Sequence, residues 1–152
     1  MSETSAMRPP DGTLAPIRAR REALEIAASE LQQSLAVASA TSQWRDGVRA
    51  ALGRTQAVLE EHLRTSEGAT GLTASVIKAD ARLSGPAERL ASEHADLVEA
   101  QHAVSELAAD AASEPDDIRD AAAAFVTLIL RHLQHAHDLL HDAIESELGG
   151  GD

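Results

Sequence analysis

The sequence predicts an all-α fold, an antiparallel up-down four-helix bundle, and three observations lead to it. Hydrophobic residues make up 43% of the chain but aromatics only 1%, so the core must be built from Ala, Leu, Val and Ile. Ala and Leu favour helices, whereas strands favour β-branched and aromatic residues. Apolar residues recur at steps of three and four, the repeat of a helix with one buried face. Gly, Pro and Ser divide the chain into long segments joined by short connections, which makes successive helices antiparallel neighbours. At 152 residues, one domain is expected.

Residues 1–13 contain Pro9, Pro10 and small polar side chains, and read as a disordered lead-in with little to bury. The bundle itself is expected over 14–148, with a Gly-rich tail at 149–152. A first helix is predicted from near Leu14 to near Ser39, its stripe passing through Ile17, Leu24, Ala27, Leu31, Leu35 and Ala38. Arg18, Arg20 and Arg21 crowd its start, where Glu22 and Glu25 offer partners. The second helix should begin near Thr41 or Ser42 and bury Trp44, Val48, Leu52, Thr55, Leu59 and His62, continuing through Ser66 and Ala69. Gly68 and Gly71 weaken it, and 72–84 reads as a frayed continuation or a short separate helix.

A third helix is predicted with Gly85 as its N-cap, Pro86 at the first helical position and an end near Ala112. Its stripe is Leu90, His94, Leu97, Gln101, Val104, Ala108 and Ala111. The fourth should take Ser113 as cap, carry Pro115 and Asp116 in its first turn, and run to about Leu148 before three glycines stop it. Its inward positions are Ile118, Ala122, Phe125, Ile129, His132, Ala136, Leu139 and Ala143.

Composition narrows the function. A net charge of -12 disfavours nucleic acid and anionic membranes, since both select clustered Lys and Arg. No apolar run has the length of a membrane span, and the polar N-terminus lacks a secretory signal, so a cytoplasmic location is expected. With no cysteine, any metal must be held by His, Asp or Glu. A hydrolytic enzyme is not expected, because there is no nucleophile elbow, phosphate-cradling loop or convincing carboxylate pair.

His94 and His132 both fall on inward stripes. They also match in depth, since His94 lies 18 residues before Ala112 and His132 lies 17 after Pro115. His62 joins them if the second helix turns away near Gly68 and Gly71. Three imidazoles from three helices would then meet at one level, as in bundle metal sites. Imidazole suits Fe, Zn, Cu and Ni alike. Glu67, Glu99 and Asp138, five or six residues past these histidines, are candidates for further ligands or for acceptors behind them. His135, His137 and His141 read mainly as a solvated face, although His137 is also a candidate for a second metal position, and His102 is expected outside. Taken singly, an inward histidine is more often a satisfied core residue than a ligand, so a metal-free bundle acting as a structural or interaction module is the alternative.

The order His62 with Glu67 and Gly68, then Glu93-His94, then Arg131-His132, and a C-terminal ELGGGD resembles hemerythrin-like domain proteins. GLTASVIKADARL followed by ERLASEHADL looks like the second and third helices of bacterial members, and the likeness runs from about Trp44 to the end. The resemblance implies a metal-binding bundle engaged in iron handling or in oxygen or redox sensing, with dioxygen or another small ligand as partner. Oxygen-binding members carry a histidine on the first helix, His-x-x-x-Glu on the second, His-x-x-x-His on the third, and a histidine followed five residues on by Asp on the fourth. Here the first helix has no histidine, Ser66 stands at the Glu position, Val98 replaces the second histidine of the third helix, and His137 occupies the Asp position. The departures imply a single ion, iron or zinc, on His62, His94 and His132 with Glu67 or His137 in support, or a site lost altogether.

Overall fold

The computed structural model describes residues 11–37, 42–67 and 81–149. Four α-helices run through them: α1 (Asp11–Ala36), α2 (Ser42–Glu67), α3 (Ser84–Ala109) and α4 (Pro115–Gly149). A short 3-10 turn, Ala81–Leu83, leads into α3. There is no strand among the described residues, and the helices pack as a bundle. Most of the expected lead-in, and most of 72–84, lies outside the described residues; so does the last part of the tail.

Among the described side chains the predicted stripes are the buried faces of their helices, with His62 and Ala136 partly buried, while the side chains of Ile17, Ala38, Ser66, Ala69 and Ala143 lie outside the described ones. Leu24, Leu31, Leu35, Val48, Leu52, Leu59, Leu97, Val104, Ile118, Phe125 and Ile129 form one continuous apolar cluster drawn from all four helices. Thr55, also on the stripe, is fully buried because its hydroxyl donates to the Ala51 carbonyl at 2.8 Å and so leaves no polar hydrogen unmatched. Ala111 is the exception, exposed in the turn beyond α3. Helix α3 stops at Ala109, three residues short of expectation, because Asp110 takes an extended conformation and its carboxylate accepts the Ala112 N–H at 2.9 Å.

Two caps differ from the sequence reading. Gly85 is not the N-cap of α3: the 3-10 turn brings the helix in at Ser84, and the cap position is Leu83, which makes no side-chain cap bond. Ser113 is not the cap of α4, because its N–H donates to Asp110 O at 3.0 Å and closes the turn. Glu114 takes that place, its carbonyl accepting the N–H groups of Asp117 and Ile118 at 3.1 and 3.2 Å, with Pro115 at the first helical position.

Two arginines tie the helices together at one end. Arg45 donates to the Asp110 carbonyl at 2.9 Å and to that of Ser113. Arg119 lies 5.1 Å over the Trp44 ring and donates to the carbonyls of Leu35 at 3.0 Å and Val37 at 3.3 Å, satisfying groups that the end of α1 leaves open. Along the α2–α3 contact, Arg45 meets Asp110, Leu52 meets Gln101 and His62 meets His94. The numbers rise on one helix as they fall on the other, so these two run in opposite directions. Within α1, Arg21 pairs with Glu25 at 3.4 Å.

Candidate metal centre

Below the main apolar cluster the inward positions of three helices turn polar at one level. On α3, His94 follows Leu90 and precedes Leu97; on α4, His132 lies between Ile129 and Leu139; on α2, His62 comes after Leu59. A second, smaller cluster lies beyond them, with Ala87, Leu90 and Leu139 buried and Leu83 and Ala136 packed against it. The histidines therefore form a layer between two apolar clusters.

The three rings converge. His94 and His132 are 2% and 1% exposed, and His62 is half-buried. Ring centroids stand 4.8 Å apart for His94 and His132, 5.2 Å for His62 and His132, and 5.8 Å for His62 and His94. One nitrogen of each ring lies within 4.8 Å of one from each of the other two. Nitrogens bound to one tetrahedral ion at about 2.0–2.1 Å would stand roughly 3.3 Å apart, so the set would have to draw inward to close around an ion.

Protonation favours the same use. Burial pushes the His62 pKa down to about 4, and unfavourable electrostatic interaction with the neighbouring His132, His94 and Arg20 side chains lowers it further. Burial also lowers that of His132, although the hydrogen bond to Glu93 pulls it back up. Both rings are accordingly neutral near pH 7, the form that offers a lone pair to a cation.

Glu93 is the residue that sequence reasoning left without a role. One carboxylate oxygen lies 2.9 Å from His132 Nδ1 and the other 2.6 Å from His135 Nδ1. A carboxylate only accepts, so the neutral His132 ring carries its proton on Nδ1 and leaves Nε2 bare toward the centre. Across it, His62 Nε2 lies 3.1 Å away, so the proton in that contact belongs to His62. A signal for Glu93 does exist in the sequence: it immediately precedes an inward histidine and flanks the seam between adjacent helices.

The other expected supporters lie elsewhere. His137 is exposed, stacked on His141 at 6.4 Å and 3.7 Å from Asp138, away from the three-histidine group. Asp138 accepts from Gln134 Nε2 at 2.9 Å on the solvent side, and Glu99 is exposed. Both were expected to back the histidines. Their positions five or six residues on rotate them past the inward stripe, and each is solvated as a free carboxylate prefers. The Glu67 side chain lies outside the described residues. His102, His135 and His141 are exposed, as read from the sequence. No described helix is long and apolar enough to cross a membrane.

Comparison of the chain with protein-family models, curated proteins and solved structures finds no match.

Proposed function

We propose that this protein is a metal-binding helical bundle of hemerythrin-like type, holding one transition-metal ion, iron or zinc, on His62, His94 and His132. A single observation carries the reading: three imidazoles from three helices bring ligand nitrogens within 4.8 Å of one another in the interior. Three imidazoles gathered in an apolar layer offer their nitrogens together, which is the donor arrangement that a single cation takes up. Among the described residues the donor set suits one ion and not two. A second ion would need bridging or additional ligands, yet His137, Glu99 and Asp138 face solvent and Val98 is exposed. Three nitrogen donors leave coordination positions open, which supports a role in binding dioxygen or another small ligand, or in handling iron.

A second reading, a metal-free structural or interaction module, is favoured by the 3.1 Å contact between His62 and His132, which satisfies two of the rings without an ion. Elemental analysis of protein purified without a histidine tag separates the two. About one equivalent of metal is expected, lost in the His94→Ala/His132→Ala double variant while far-UV helicity persists. Full metal content in that variant, or none in the wild type after reconstitution, overturns the proposal.

A further inference from the structure

We infer that Glu93 is the positioning residue of the three-histidine centre: it fixes the tautomer and ring orientation of His132 so that the Nε2 lone pair points inward. This deepens the metal-binding reading and rests on it for its consequence, though not for its geometry. Glu93 sits on α3 beside His94, and its side chain is 24% exposed, so it reaches the α3–α4 seam from the rim of the layer. One oxygen accepts from the fully buried His132 at 2.9 Å. The other is held at 2.6 Å by His135, which is 49% exposed and three residues further along α4.

The carboxylate is thus gripped from the solvent side by one histidine while it orients a second. With both oxygens engaged, rotation of Glu93 would break two contacts at once, and moving the His132 proton from Nδ1 to Nε2 would place a bare nitrogen against a carboxylate. The inward lone pair is therefore built in before any cation arrives. Carboxylates behind metal-bound histidines act this way, and their loss lowers metal affinity roughly 10–100-fold. Glu93 touches no ion itself. It belongs to the same chain segment as His94, so one turn of α3 supplies both a ligand and the support of another ligand.

Two measurements on the full chain test this. In the metal-free protein, long-range proton–nitrogen correlation spectra should show His132 as the Nδ1–H tautomer, and Glu93→Ala should convert it to a mixture or to the Nε2–H form. In zinc titrations against a chromophoric chelator, Glu93→Ala should bind roughly 10–100-fold more weakly than wild type. A His132 tautomer unchanged in Glu93→Ala overturns the assignment, as does zinc affinity within twofold of wild type. If the wild type takes up no zinc, the metal-binding reading fails by itself, and the spectra still decide what Glu93 does to His132.

Discussion

Lowering the pH of the metal-free protein from 7.5 to 5 should destabilise it through His62. The folded ring has its pKa lowered from 6.5 to about 4, chiefly by burial, whereas the unfolded chain regains the ordinary value. Between these two values the unfolded state binds a proton that the folded state refuses. Stability is therefore complete above about pH 6.5 and declines as the pH falls toward 4. At pH 5 the ratio of the two binding factors is about 30, which corresponds to a loss of about 2 kcal/mol. His132 is shifted in the same direction and adds to the loss. With a urea dependence of about 2 kcal/mol per molar, the unfolding midpoint should fall by roughly 1 M. Urea titrations in the presence of a chelator, followed by fluorescence of the single tryptophan and by far-UV helicity, would measure it. Running His62→Gln alongside removes contributions common to both proteins, and its midpoint should fall by about 1 M less. Parallel declines in the two proteins would refute the assignment to His62.

Two further changes test the packing. Phe125, the only phenylalanine, is fully buried on α4, and Phe125→Ala should cost roughly 3–5 kcal/mol, read as a lower thermal midpoint with helicity retained below it. A cost under 1 kcal/mol would mean that the core closes over the gap. Gln101 is buried with its amide nitrogen 3.3 Å from Leu52 O and 3.0 Å from Ser105 Oγ, while its carbonyl oxygen has no partner among the described residues. Gln101→Leu should leave urea stability unchanged or raise it by about 1 kcal/mol. A loss above about 2 kcal/mol would show that the amide holds α3 to α2.

The helices and their buried faces could be read from the sequence because Leu, Ala, Val and Ile recur there mostly at steps of three and four residues. The same periodicity placed His62, His94 and His132 inward, since a histidine on such a stripe has nowhere else to point. Glu93 and the arginine contacts were not readable in that way. Each depends on the rotation of one helix against another, and Glu93 lies one residue off the stripe. Ser113 was taken for a cap on residue type alone, but the turn that consumes its N–H is set by Asp110 and the neighbouring α2. Carboxylates five or six residues past a histidine looked like supporters, yet the one that reaches His132 comes from the facing helix.

The histidine layer also stands between two apolar clusters. On one side, apolar side chains from four helices interlock; on the other, among the described residues, Ala87, Leu90 and Leu139, with Leu83 and Ala136, join α3 to α4. A ligand held at the layer would splice α2, α3 and α4 together at that level, and local opening of any one of them there would have to break its bond to the ligand first. Occupancy of the centre would then register as slower amide exchange in the turns that carry the three histidines, turning a binding event into a change in breathing.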